Sequence, residues 1–233
     1  TYVTSDTFTV MLSQLVNNGC RDSLSRQVVV FPEPVPGFTI NDSTQCLRAN
    51  NFIFADTSRI ASGTIASRIW NFGAGTNDTS GTVSYNKNYT ADGSFMVKLK
   101  VASNNGCIDS IIKRVTVYPQ PRAGFTVSNV SNCNGDSIFF SDTSQISSGT
   151  LSRTWNLGAG PNDTSSLSNV SKLYTVTGSY AVQLVTKSNF DCTDTATTTL
   201  VVNPSPAARM IVNNPAQCYR GNTFLFTDSS AIT

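Results

Sequence analysis

The sequence predicts an all-β protein built from tandem β-sandwich repeats. Three observations support this: strand-type alternation, repetition at a period of about 85 residues, and the lack of any helix-period stretch. Apolar residues alternate with polar or charged ones over Phe95–Val101 and Tyr180–Leu184. Such alternation is typical of a strand that buries one face. The run Ile111–Tyr118 is rich in β-branched residues and ends at a proline, which also favours a strand.

The repetition rests on landmarks that recur at one spacing. Trp70 recurs as Trp155, and Tyr2 recurs as Tyr89 and Tyr174. Six cysteines form two series with the same period, which are Cys20, Cys107 and Cys192, and Cys46, Cys133 and Cys218. A motif of an aromatic residue, a small residue, Asp, Ser or Thr, and Ser occurs at 54–58, 140–144 and 226–230. Agreement of so many landmarks indicates a true repeat.

These landmarks predict two complete repeats, at 35–120 and 121–205. Residues 1–34 correspond to the C-terminal part of an earlier repeat, and residues 206–233 to the N-terminal part of a further one. Neither part contains a tryptophan strand, so we expect the chain to be a segment of a longer array. About seven short strands in each complete repeat predict an immunoglobulin-like sandwich.

The junctions between repeats carry alternating prolines, at 32–36, 119–121 and 204–206. Alternating prolines hold the backbone near polyproline II, so the linkers should be short and stiff. A strand of about 10 residues with a three-residue linker spans roughly 40 Å. We therefore expect the repeats to form an elongated rod.

Composition excludes several classes of function. Charged residues make up 13% of the chain and the net charge is +2, without the basic clusters of nucleic-acid-binding proteins. The apolar runs are too short to insert into a membrane. The chain has no His, so Ser-His and Cys-His nucleophile pairs and common zinc sites cannot form. We expect no enzyme activity, cofactor or metal; calcium between repeats is a weaker alternative, since only 14 residues are acidic.

Two motifs in each complete repeat resemble those of PKD (polycystic kidney disease) domains. The segments Trp70–Gly75 and Trp155–Gly160 resemble the family's WDFGDG signature, although Asn and Ala replace its two Asp residues. The segments 89–95 and 174–180 resemble its Y-x3-G-x-Y/F stretch. In a sandwich of this kind, the tryptophan fills the core, and each tyrosine stands where its hydroxyl can bond a nearby backbone group. We therefore predict a structural core role for four residues, Trp70, Trp155, Tyr89 and Tyr174.

The Gly-Cys-x-Asp-Ser/Thr turn and the second cysteine of each repeat resemble the PKD-type repeats of very large secreted adhesins of gliding bacteria. This resemblance implies secretion across the outer membrane, display in an extracellular cell-surface filament, and a role in adhesion and gliding motility. The implied partners are neighbouring repeats, surface polysaccharide, and the motility or secretion machinery. The alternative is a spacer, or a carbohydrate- or protein-binding module, of a secreted multidomain hydrolase.

The cysteines allow more than one interpretation. Free buried thiols are one possibility, and disulfides in an oxidising compartment are favoured. Disulfides within each repeat would join Cys46 to Cys107 and Cys133 to Cys192. Strand order instead places these two at opposite ends of a sandwich, which favours a bond between repeats, from Cys46 to Cys192. The remaining cysteines would then find partners in neighbouring repeats or outside the chain, and these are Cys20, Cys107, Cys133 and Cys218.

Asp-Ser/Thr followed by a small apolar or hydroxyl residue resembles an O-glycosylation signal of secreted proteins from this bacterial lineage. The candidate acceptors are Ser23, Ser43, Ser110, Ser137 and Thr195. Ordinary turn chemistry of Asp and Ser is the alternative. Asn-x-Ser/Thr sequons at Asn77, Asn88 and Asn162 are expected to be bare.

Overall fold

The computed structural model describes residues 1–75, 79–160 and 164–232, and every regular element within these ranges is a β-strand. The chain divides into two compact units, Thr1–Tyr118 and Pro119–Thr233. Each unit contains one complete sandwich. The predicted fold class, all-β with tandem immunoglobulin-like sandwiches, is confirmed.

The first unit begins with an isolated antiparallel hairpin of β1 (Asp6–Leu15) and β2 (Arg21–Val30). A complete repeat follows. Its strands are β3 (Phe38–Ile40), β4 (Thr44–Cys46), β5 (Phe52–Asp56), β6 (Ile65–Asn71), β7 (Thr79–Ser80), β8 (Ser84–Lys87), β9 (Gly93–Ser103) and β10 (Ile108–Tyr118). The long β9 and β10 are the alternating and β-branched segments that the sequence marks most clearly.

The repeat consists of two sheets. Five strands form one sheet in the order β4-β10-β9-β6-β7, and three form the other in the order β3-β5-β8. The chain crosses between the sheets after β3, so that β4 joins the edge of the larger sheet parallel to β10. All other pairings are antiparallel, as expected for an immunoglobulin-like sandwich.

The second unit repeats this topology. Its strands are β11 (Phe125–Val127), β12 (Ser131–Cys133), β13 (Ser137–Asp142), β14 (Leu151–Asn156), β15 (Thr164–Ser165), β16 (Asn169–Leu173), β17 (Gly178–Ser188) and β18 (Thr193–Asn203). The sheet orders are β12-β18-β17-β14-β15 and β11-β13-β16. Four short strands follow, β19 (Pro206–Ala207), β20 (Met210–Val212), β21 (Phe226–Asp228) and β22 (Ala231–Ile232), paired as β19-β22 and β20-β21.

Each sandwich encloses its own aromatic core. Trp70 and Trp155 are both 0% exposed. Phe38 meets Trp70 edge to face at a centroid distance of 5.1 Å, and Phe125 meets Trp155 in the same way at 5.1 Å. Edge-to-face contact is a favoured geometry for aromatic pairs. The two repeats therefore share one packing scheme, even though many of their surface residues differ.

The N-terminal hairpin has the strands of a repeat without its second layer. Val10 and Leu12 are 46% and 67% exposed, whereas Val97 and Leu99, which occupy the same repeat positions, are 0% exposed. No second sheet covers the hairpin among the residues that the structure describes.

Candidate functional site

The signature turn after the tryptophan strand is held by an asparagine rather than an aspartate. Trp70 lies near the end of β6, and its indole nitrogen donates to the Thr82 carbonyl at 2.8 Å. The side-chain oxygen of Asn71 accepts from the Gly73 amide at 2.9 Å. Gly73 has φ +76°, a conformation that favours glycine. The amide oxygen thus supplies the acceptor that the turn needs without a carboxylate charge.

The second repeat has the same turn. Trp155 donates to the Leu167 carbonyl at 2.8 Å, and Asn156 accepts from the Gly158 amide at 3.0 Å. Asparagine therefore holds this turn in the same way in both repeats.

In each repeat, the tyrosine of the second motif bonds the backbone of this turn. Tyr89 is 3% exposed, and its hydroxyl donates to the Phe72 carbonyl at 2.8 Å. Tyr174 does the same to the Leu157 carbonyl at 2.7 Å. The acceptor is the residue two positions after the tryptophan, a longer-range partner than the sequence suggested. Asn50 also bonds the Tyr89 backbone, accepting from its amide at 2.7 Å and donating to its carbonyl at 2.8 Å.

An ion pair that the sequence motifs did not predict occurs in both repeats. The Asp56 carboxylate, 3% exposed, accepts from the Arg68 guanidinium, and Asp142 and Arg153 form the same pair. Burial alone would raise the pKa of Asp56, but hydrogen bonds from Ser58 and Arg68 lower that pKa below its ordinary value of 3.8. The signal was an Arg two residues before each tryptophan, because that position on the strand faces the same way as the tryptophan.

The cysteines of one repeat lie at opposite ends of its larger sheet. Cys46 is the β-partner of Tyr118, the last residue of β10, and Cys107 immediately precedes the first residue of that strand. The intervening 11 residues of β10 separate the two cysteines by about 35 Å. A disulfide requires Cα atoms within about 7 Å, so a bond within the repeat is excluded.

The second repeat has the same arrangement, with Cys133 opposite Asn203 at the end of β18 and Cys192 just before its start. Cys46 and Cys192 are disulfide-bonded. The other four cysteines are free thiols in this chain, namely Cys20, Cys107, Cys133 and Cys218. Their partners in neighbouring repeats or beyond the chain remain predictions.

The linker 119–123 is fastened to the second repeat. Pro119 and Pro121 are buried. The Gln120 side chain donates to the Thr193 carbonyl at 2.5 Å, and the Ala123 amide donates to the Asp194 carboxylate at 2.8 Å. Both acceptors lie at the start of β18, next to Cys192. The linker is therefore bonded along its length rather than hydrated as a flexible tether.

The five candidate O-glycosylation acceptors, Ser23, Ser43, Ser110, Ser137 and Thr195, are all exposed. Some of the neighbouring carboxylates bond the next backbone amide near the start of a strand: Asp22 accepts from the Ser23 amide at 2.8 Å and Asp109 from the Ser110 amide at 2.7 Å. Both interpretations of these motifs stay open. The Asn88 sequon is exposed, while Asn77 and Asn162 lie outside the described residues.

Two further findings concern the residues that the structure describes. No group of three or more Cys, Asp or Glu side chains among them is placed to hold a metal ion. No helix among them is long and apolar enough to cross a lipid bilayer.

Solved structures similar to single repeats include the PKD1 domain of Vibrio anguillarum Epp. It is 24% identical, with 36% of this chain and 93% of that chain covered and a TM-score of 0.32. The PKD1 domain of the Vibrio cholerae metalloprotease PrtV is 29% identical, with 36% and 96% covered and a TM-score of 0.32. Fibronectin(III)-like modules of Clostridium thermocellum CbhA are 12% identical, with 71% and 94% covered and a TM-score of 0.37. No curated protein sequence matches the chain.

The PKD domain family model matches residues 33–117 and 119–202. These two matches cover both complete sandwiches and most of the chain. The chain therefore belongs to the PKD domain family, whose members are typically non-catalytic structural or binding modules of extracellular proteins.

Proposed function

We propose that this chain is a structural segment of a long cell-surface filament or adhesin that is secreted across the outer membrane and acts in adhesion and gliding motility. The observation that carries the proposal is the fastened linker. Two closed sandwiches follow one another in the chain, and the buried prolines and the bonds of Gln120 and Ala123 hold the linker against the second of them. A filament shaft requires stiff junctions, whereas a module that must move independently is better served by a hydrated tether.

The proposal includes a disulfide from Cys46 to Cys192 that staples one repeat to the next. Three observations support it. Both cysteines are disulfide-bonded, and neither can reach the other cysteine of its own repeat. Each is also held beside the linker within its own unit: the Leu47 amide donates to the Tyr118 carbonyl at 2.9 Å, and Gln120 bonds the residue after Cys192. Cross-linked junctions suit an extracellular fibre, since disulfides persist in oxidising compartments.

Surface labelling and deletion in the producing bacterium test the function. A fluorescent antibody fragment raised against residues 35–205 should label intact cells, and external protease should remove the label. In-frame deletion of this segment should then reduce attachment to glass and the fraction of cells that glide.

The control is a strain that carries the segment with Val201→Thr, a change at an exposed position of β18. This strain should label, attach and glide as the parent does. Normal gliding after deletion, together with lost activity of a secreted hydrolase, would instead identify the segment as a hydrolase spacer.

A further inference from the structure

The two complete repeats share a core but present different outer faces on their five-stranded sheets. Strand β9 of the first repeat turns Lys98 and Lys100 outward, between residues that are fully buried. The same positions of β17 in the second repeat hold Gln183 and Val185. Arg114 on β10 faces the same side, and its equivalent on β18 is Thr199.

The three cations of the first repeat lie close together, and we call Lys98, Lys100 and Arg114 the basic face. Lys98 pairs with Ile112, and Arg114 pairs with Met96 on the neighbouring strand. Residues two apart on a strand and diagonal neighbours across a pair are both separated by about 7 Å. Lys98 therefore lies about 7 Å from each of the other two, while Arg114 and Lys100 lie about 14 Å apart, so the basic face is a short bent row of cations.

The basic face carries charge without internal compensation. Its three residues are exposed, and none of their side chains has a hydrogen bond or ion pair to another residue in the described part of the chain. Lys187, on the same side of the second repeat, is instead paired with Asp191 at 2.7 Å. Asp109, at the start of β10, lies opposite Val101, whose side chain faces the core. Asp109 is therefore on the other side of the sheet from the basic face.

Aliphatic side chains are interleaved with these cations. Ile69, Met96 and Ile112 are 50%, 58% and 51% exposed. Ile69 pairs with Lys100 and Ile112 with Lys98, so each lysine has an apolar neighbour. A ligand that combines regularly spaced anions with apolar ring faces matches this pattern.

The second repeat shows that the fold does not require such a surface. The positions of Ile69, Ile112 and Arg114 are all occupied there by exposed threonines, which are Thr154, Thr197 and Thr199. The register of β9 with β10 matches that of β17 with β18. The register of β6 with β9 matches that of β14 with β17 from Ser67 onward, after an irregularity between Ile65 and Ser67 that the second repeat lacks. The two sheets therefore differ in their outward-facing side chains, which are the ones that a ligand would contact.

We propose that the basic face of the first repeat binds an acidic polysaccharide. The inference rests on the proposed function in that it takes the segment to be outside the cell. An extended polyanion lying along β9 would place successive acidic groups against Lys98 and Lys100, with Arg114 contacting a third. An anionic bilayer is a poorer match, because attraction to membranes takes clusters of about four to eight basic residues.

Binding of the full chain to immobilised alginate, a polymer of uronic acids, tests the proposal, with neutral dextran as the reference. The chain should bind alginate and not dextran, and rising salt should weaken binding. The triple variant K98Q/K100V/R114T gives the first repeat the residues of the second. It should bind alginate at least tenfold more weakly while its melting temperature stays unchanged.

The reciprocal graft Q183K/V185K/T199R provides a matched gain of function. Introduced into the triple variant, it should restore alginate binding from the second repeat. Unchanged binding in the triple variant would overturn the proposal, as would tighter binding to phosphatidylglycerol vesicles than to alginate. Because binding is measured on the isolated chain, it fails or succeeds independently of whether deletion of the segment affects gliding.

Discussion

At the scale of single residues, buried polar groups define the PKD fold of this chain as much as its tryptophans do. The carboxylates of Asp56 and Asp142 are each 3% exposed and paired with an arginine two residues before a tryptophan. In addition, Asp56 accepts from the Ser58 amide at 2.8 Å, so it holds the chain just after β5 while the Arg68 pair joins β5 to β6. Losing one partner of such a pair leaves a buried charge, which costs more than the pair itself contributes.

We expect Arg68→Met to lower the free energy of unfolding of the first repeat by about 2–3 kcal/mol, between the values for surface and buried pairs. Urea denaturation followed by tryptophan fluorescence measures this. The matched control is Lys187→Met, which removes the exposed pair with Asp191 and should change stability by less than about 0.5 kcal/mol. Equal losses of unfolding free energy in the two variants would show that the Asp56 pair stabilises the fold no more than an exposed ion pair does.

The same carboxylates predict how stability depends on pH. The pKa values of Asp56 and Asp142 are lowered from 3.8 in the folded chain, so the unfolded state binds protons more readily there. Their contribution is complete above the unfolded value and is lost as pH falls below it. Melting temperature should therefore drop between about pH 5 and pH 3, and less steeply in the double variant D56N/D142N. If the melting temperature falls equally steeply with pH in the parent and in the double variant, these two carboxylates are not the cause.

At the scale of strands and turns, much could be predicted from the sequence. The long strands β9, β10, β17 and β18 follow from alternation and β-branching, because one buried face imposes a period of two. The switch of the first strand between sheets, from β3 to β4, could not be predicted. Segments of three residues are too short for periodicity, and the position of β4 depends on pairing with β10, which is distant in sequence.

The candidate sites also divide into features that local sequence predicts and features that depend on long-range strand pairing. The tryptophan turn and both tyrosines were identified from the PKD-type motifs, but the carbonyl that each tyrosine hydroxyl bonds, 17 residues away, was not. The Arg68–Asp56 pair and the fastened linker were missed, because each depends on which strands become neighbours. Asp194 illustrates this: its sequence context suggested a modification motif, whereas its carboxylate accepts from the Ala123 amide.

The tryptophan turn yields a sharp prediction for glycine. A Cβ on Gly73 would lie 2.9 Å from the Met96 carbonyl oxygen, at φ +76°. Gly73→Ala should therefore destabilise the first repeat by about 2–3 kcal/mol through clash and strain. Gly81→Ala is the control, since its Cβ would lie 3.6 Å from the Arg68 carbonyl oxygen, an ordinary contact. Thermal unfolding of both variants measures the difference. Equal melting temperatures for Gly73→Ala and Gly81→Ala would contradict the prediction.

At the scale of the whole molecule, the position of the cysteines bears on how a filament would carry force. In each repeat, one cysteine lies on the edge strand opposite the end of the last strand, and the other lies in the turn before that strand begins. If successive repeats join end to end, as we propose, unlike cysteines would meet at each junction. The proposed bond from Cys46 to Cys192 encloses most of both sandwiches in a covalent loop, although it crosses only one linker.

This loop predicts a distinct response to stretching. If Cys46 and Cys192 are joined, residues 47–191 cannot extend when the chain is pulled from its two ends. Reduction should then lengthen the fully stretched chain by about 500 Å, because each extended residue spans about 3.5 Å. Single-molecule force spectroscopy with and without reductant measures the difference. Cys46→Ser should behave as the reduced chain does even without reductant, while Cys107→Ser should match the oxidised parent, and an equal length under both conditions would rule the staple out.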